Sequence, residues 1–171
     1  MEDVPDLYEE AYDPMYPCIC FDEKPYQLIG ETRVPLPPKP GRPLRYDYEY
    51  ERNGTANIFI TAEPAAGQRH IVVTGRRTKD DFPETMRYIA DVLYPDAARI
   101  CIVMDNLNTH NPSSLYEKFR PEEARRILRR PEFHYMPKHA GRLNMAEIEI
   151  SVLSGQCIGR RIGDMETLKK G

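Results

Sequence analysis

At Phe82 the hydrophobic period of the chain changes, and that change restricts the available folds more than any other feature. Before it, short apolar stretches alternate with turn residues. Cys18, Ile19, Cys20 and Phe21 read as a strand ending at Asp22, with residues 26–29 as its partner and Gly30 near a turn. Residues 45–51 and 57–62 predict two strands joined by a turn through Asn53 and Gly54, and residues 69–74 predict a further one. After it, Phe82, Met86, Ile89, Ala90 and Leu93 fall on one helical face. Asp81 with Glu84 reads as a reciprocal cap, Pro83 sits in the first turn, and Pro95 closes the helix. There follow a buried strand at 100–104, a helix at 121–130 and a strand at 133–136. Last comes an amphipathic helix at 144–158, with residues 146, 150, 153 and 157 on one face. A meander followed by alternating helices and strands predicts an α/β fold, a mixed sheet with helices around it.

The length, 171 residues, is enough for one sizeable core. We expect one folded unit over 18–162, between a flexible lead-in at 1–17 and a C-terminal tail at 163–171. No apolar run is long enough to cross a bilayer, and the acidic opening does not read as a secretory signal, so a cytoplasmic location is expected. The four cysteines read as reduced, mostly buried small side chains. Residues 34–43 hold five prolines and predict a stiff, extended surface loop.

The net charge of -3 is a weak argument against a dedicated nucleic-acid binder, but charge is unevenly spread. The first 13 residues carry six acids and no base, whereas residues 118–142 carry eight Lys or Arg against three Glu. Arg33, Lys39, Arg42, Arg125, Arg126, Arg129, Arg130, Lys138 and Arg142 are the candidate phosphate contacts, with a solvated face as the plainer alternative.

Two carboxylates stand out. Asp22 and Asp105 each follow an apolar strand at its C-terminal end, where ligands gather in α/β sheets. Neighbouring parallel strands would make them converge, and Glu147, in the first turn of the last helix, could reach the same point. Such a cage suits hard divalent cations, which prefer carboxylate oxygens and water. Two of them about 4 Å apart serve in-line phosphoryl transfer. An Asp after a strand is also common in α/β proteins, and Glu147 with Asn144 equally fits a capping box. His110 and His139 lack zinc-ligand spacing.

The motifs built on Phe21, Asp22 and Glu23, on residues 104–110, and on Leu143, Asn144 and Glu147 resemble the three acidic motifs of DDE transposases. The similarity is to the bacterial insertion-sequence group related to mariner elements, and it runs from about Cys18 to Arg161. The resemblance implies an RNase H-like fold with a mixed five-stranded sheet. It makes Asp22, Asp105 and Glu147 the catalytic and metal-binding residues for two Mg2+ or Mn2+ ions. Glu23, Asn106, His110 and Asn144 become supporting residues. The implied reaction is hydrolysis at element ends, then attack of the freed 3′-hydroxyl on target DNA. The implied partners are double-stranded DNA and a second copy in a homodimeric synaptic complex at the bacterial chromosome, with no membrane and no nucleotide cofactor. Two departures stand against the family pattern. Arg142 occupies the place of a Trp, and no helix-turn-helix domain fits before Cys18, so a fragment, half of a split reading frame or a decayed copy is expected. The alternatives are therefore a stand-alone RNase H-like DNA nuclease and a decayed or domesticated non-catalytic DNA-binding fragment.

Overall fold

The computed structural model describes residues 3–75, 78–105, 111–136 and 144–170. Its elements are α1 (Asp3–Glu9), β1 (Cys18–Glu31), β2 (Tyr50–Glu63), β3 (Gln68–Thr74), α2 (Asp81–Tyr88) with a π-helical turn at Ile89–Leu93, and β4 (Ile100–Asp105). They continue with α3 (Ser114–Lys118), α4 (Pro121–Leu128), β5 (Pro131–Met136), α5 (Met145–Gln156) and α6 (Met165–Lys170). The strands form one five-stranded sheet in the order β3-β2-β1-β4-β5. β1, β2 and β3 run antiparallel to their neighbours, while β1, β4 and β5 are parallel. This is the RNase H-like mixed sheet.

The central strands are covered on both faces, and period-two alternation divides their side chains between two cores. Ile19, Phe21, Ile100, Ile102 and Met104 join Phe82, Met86, Leu115 and Ile127 on the face covered by α2, α3 and α4. There Phe21 stacks on Phe59 at 5.8 Å and meets Phe82 edge-on at 6.0 Å. Cys20 and Val103 turn to the opposite face, with Val4, Ala146, Ile158 and Leu168 from the α1, α5 and α6 side. Cys18 and Cys101 meet on that face with their sulfurs 3.4 Å apart.

Several local expectations change. The two short strands expected at 18–21 and 26–29 are one strand of 14 residues, and β2 is equally long. Asn53 and Gly54 do not form a hairpin turn. Gly54 stays within β2 at φ 102°, opposite a register shift between Gln27 and Ile29, and Asn53 donates its side-chain amide to the Gly163 carbonyl. The actual tip is at Lys39 and Arg42, which exchange both backbone hydrogen bonds around Pro40 and Gly41. Pro at the second position and Gly at φ 74° in the third are the demands of a type II turn. The lead-in contains α1, anchored by buried Val4 and by Tyr8, whose hydroxyl lies 3.0 Å from the Cys20 sulfur. The tail contains α6, anchored by buried Leu168. Asp81 is not a cap: Asp80 holds the N-cap position of α2, and the Asp81 carboxylate accepts the Thr78 N–H at 2.8 Å.

Candidate active site

β1 and β4 pair in register from Cys18 beside Cys101 to Phe21 beside Met104. The next residues along the two strands are Asp22 and Asp105. Asp22 follows Cys18 and Cys20 at period two, and Asp105 follows Cys101 and Val103, so both carboxylates belong to the α5 face of the sheet. Adjacent strands lie about 4.8 Å apart, so these two residues follow directly on the last pair of the parallel stretch; Asp105 ends β4 as expected, whereas Asp22 does not end its strand, because β1 runs on to Glu31 against β2. Both are half-buried. Asp22 Oδ1 accepts the backbone N–H of Glu23 at 2.7 Å, which fixes part of its orientation.

The first turn of α5 is tied to the same edge. Asn144 is its N-cap: Oδ1 accepts the Ala146 N–H at 3.1 Å, and Nδ2 donates to the Phe21 carbonyl at 3.5 Å. A wholly buried side chain thus bridges the helix start and the residue before Asp22. Glu147 lies three residues beyond the cap with its side chain exposed. Among the described residues no three His, Cys, Asp or Glu side chains gather closely enough to hold a metal ion. The register therefore sets Asp22 and Asp105 just past one paired stretch of β1 and β4 and ties the Glu147 turn to the residue before Asp22, without closing the three into one cluster among the described residues.

Glu23 alternates to the opposite face from Asp22, where its carboxylate accepts from the Asn57 side-chain amide at 3.1 Å. Asn57, which sequence reasoning missed, is completely buried in β2, and its Oδ1 has no hydrogen-bond partner among the described residues. A polar residue inside an apolar strand was the available signal. Asn106, His110, Lys138 and Arg142 lie outside the described residues.

The basic candidates separate into groups. Arg126 makes a bidentate pair with Asp91 at 2.7 Å and also bonds Glu123. Arg130 donates to the carbonyls of Ala90, Tyr94 and Pro95. Both tie α4 and the residues just after it to the π-helical turn and to Tyr94 and Pro95, contacts within the fold that the sequence did not suggest. Arg125 and Arg129 have no ion-pair partner among the described residues. Arg33 pairs with Asp47 at 3.3 Å, and Lys39 and Arg42 are exposed at the β1–β2 tip.

The family model described as DDE superfamily endonuclease matches residues 17–169. The chain belongs to the DDE superfamily endonucleases. No curated protein sequence matches it. Among solved structures, a chain of the Mos1 strand transfer complex is similar with TM-score 0.59 and 13% identity, over 98% of this chain and 48% of that one. A chain of a simian T-cell lymphotropic virus intasome in complex with the PP2A regulatory subunit B56 gamma gives TM-score 0.49 and 12% identity, over 94% and 49%. This DDE superfamily endonuclease chain thus spans about half the length of those two. Its donor set fits a hard divalent cation. Two half-buried carboxylates just past the parallel stretch of β1 and β4 offer oxygen ligands, and a cation would relieve repulsion between them. No helix among the described residues is long and apolar enough to cross a membrane.

Proposed function

We propose that this chain is the catalytic core of a DNA transposase, acting in metal-dependent strand cleavage and strand transfer at the ends of a transposable element. The observation that carries this reading is the pair Asp22 and Asp105, on one face just past the last paired residues of the parallel strands β1 and β4, with the Glu147 turn tied beside them through Asn144. Asp22, Asp105 and Glu147 would hold two Mg2+ or Mn2+ ions. Bound there, such ions supply Lewis-acid stabilisation to the attacking and leaving oxygens and make water a stronger nucleophile.

The residues themselves do the positioning. Asp22 and Asp105 offer anionic oxygens from two neighbouring strands of the sheet, and the Glu23 N–H restrains one of them. Asn144 keeps the start of α5 against Phe21, so that the third carboxylate works from an anchored turn. Arg125 and Arg129 contact the DNA backbone by charge, without reading sequence. Two copies act together at paired element ends.

Incubation with a pre-cut element end bearing a free 3′-hydroxyl, plus Mg2+ and target plasmid, tests the reading. Joining of that end to the target is the expected product. Metal-dependent nicking without joining would instead give a stand-alone nuclease, and neither activity would give a non-catalytic DNA-binding fragment.

A further inference from the structure

Three of the four cysteines are only partly buried, and two of these stand side by side on the central strands. Cys18 of β1 and Cys101 of β4 are the first register pair of the parallel stretch, and their sulfurs lie 3.4 Å apart. Paired residues of adjacent strands sit about 4.8 Å apart, inside the roughly 4.4–6.8 Å between Cα atoms over which a disulfide closes. Period two puts both side chains on the face covered by α1 and α5, so they leave the sheet in the same direction. Closing a bond between them needs side-chain rotation and a small approach of the strands, with the ladder kept.

Cys18 is also reachable. With Leu7, Tyr8, Tyr12, Tyr16 and Met145, among other residues, it lines a cavity of ≈ 250 Å³. Tyr12 and Tyr16 in that lining are more than half exposed, so the cavity opens to solvent. A water takes about 30 Å³ of liquid, which leaves ample room for a molecule of hydrogen peroxide. The two thiols differ in character. When Cys18 ionises, the Cys101 thiol donates to the thiolate and holds the Cys18 pKa below the ordinary thiol value, against burial and the charges of Glu10 and Glu63. The same bond, and then burial, pushes Cys101 up. One sulfur is thereby suited to attack and the other to resolve.

We propose that Cys18 and Cys101 form a reversible dithiol–disulfide pair that reacts with hydroperoxides through the cavity beside α1. The Cys18 thiolate attacks one peroxide oxygen: the S–O bond forms, the O–O bond breaks, and the departing hydroxide takes up a proton as water. Cys18 is then a sulfenic acid, oxidised by two electrons. The Cys101 sulfur attacks the Cys18 sulfur, the S–S bond forms as the S–O bond breaks, and the hydroxyl leaves with the Cys101 proton as a second water. Cys20 is a poorer partner, being fully buried with the Tyr8 hydroxyl 3.0 Å from its sulfur. Without a neighbouring thiol the sulfenic acid would go on to sulfinic acid, an irreversible product that sets a charge in the seam between β1 and β4. The pair does not rest on the catalytic reading.

Peroxide treatment of the full, reduced chain, quenched with a thiol-alkylating reagent and read by peptide mass mapping, tests it. The wild type should lose two hydrogens, yield a peptide pair joined through Cys18 and Cys101, and recover both thiols in dithiothreitol. Cys101→Ser should form no bridge, take a dimedone label at Cys18, and then pass to a sulfinic acid that dithiothreitol does not reverse. Cys18→Ser should leave Cys101 roughly tenfold or more slower to oxidise than Cys18 in the Cys101→Ser chain. The wild-type map decides alone should either variant fail to fold. The inference is overturned by a wild type whose four thiols stay reduced while free glutathione in the same tube is oxidised. A bridge from Cys18 to Cys20 or Cys157, or between two chains, overturns it too, as do equal oxidation rates of Cys18 and Cys101 in the two folded variants.

Discussion

Asn144 uses both ends of its buried amide, the oxygen on the Ala146 N–H and the nitrogen on the Phe21 carbonyl. Asn144→Ala removes both bonds and should lower unfolding free energy by about 1–2 kcal/mol in a denaturant titration. Glu147→Gln should behave differently. Its side chain is exposed and Asn144 already caps the helix, so stability should change by less than about 0.5 kcal/mol. Cleavage should nevertheless fall steeply, because a neutral amide is a poor ligand for a divalent cation. Glu147→Gln cutting as fast as its parent would return Glu147 to a helix-end role. The two aspartates were legible in the sequence as the residues closing apolar runs, although only Asp105 ends its strand and β1 runs on past Asp22 to Glu31. The face of each was equally legible, since period two sets Glu23 opposite Asp22. The use of Asn57 was not, because only the pairing of β1 with β2 brings it to Glu23.

At the scale of elements, charge does more to hold the fold than the sequence suggests. Arg126 reads as a candidate DNA contact because arginines late in a helix resemble a basic face, and nothing local reveals that Asp91, 35 residues earlier, meets it. The Arg126 guanidinium beside Asp91 holds that carboxyl below the ordinary carboxylate range. A depressed folded value means that the stabilisation is full above the unfolded value of about 3.9 and is lost as pH falls through the folded one. Both groups are partly exposed, so the pair should contribute about 0.2–1 kcal/mol. Arg126→Ala should therefore destabilise at neutral pH and converge with wild type in strong acid. Arg130→Ala should cost more, about 1–3 kcal/mol, because it leaves the carbonyls of Ala90, Tyr94 and Pro95 without their charged donor. Strand lengths depart from the sequence expectation for a related reason. Asn53 and Gly54 favour a turn locally, but β1 supplies a partner ladder on both sides of them, and the chain passes through as an irregularity within β2.

For the whole molecule, one sheet order fixes the site: with β1 central between β2 and β4, β4 ends beside the middle of a strand far from it in sequence. Charge is similarly segregated. DNA affinity should fall with salt, and each phosphate contact removed by Arg125→Glu or Arg129→Glu should lower the log–log slope by roughly 0.9. An unchanged slope would leave α4 as a solvated face. Whether Asp22 and Asp105 form a metal-dependent phosphodiester-cleaving pair is tested most directly by plasmid nicking across a Mn2+ titration, comparing the parent chain with Asp105→Asn. Nicking by the parent should rise with Mn2+ and disappear on chelation. The Asp105→Asn chain should melt with the parent yet nick only at background. Nicking by Asp105→Asn at the parent rate, over the same Mn2+ range, would contradict the assignment.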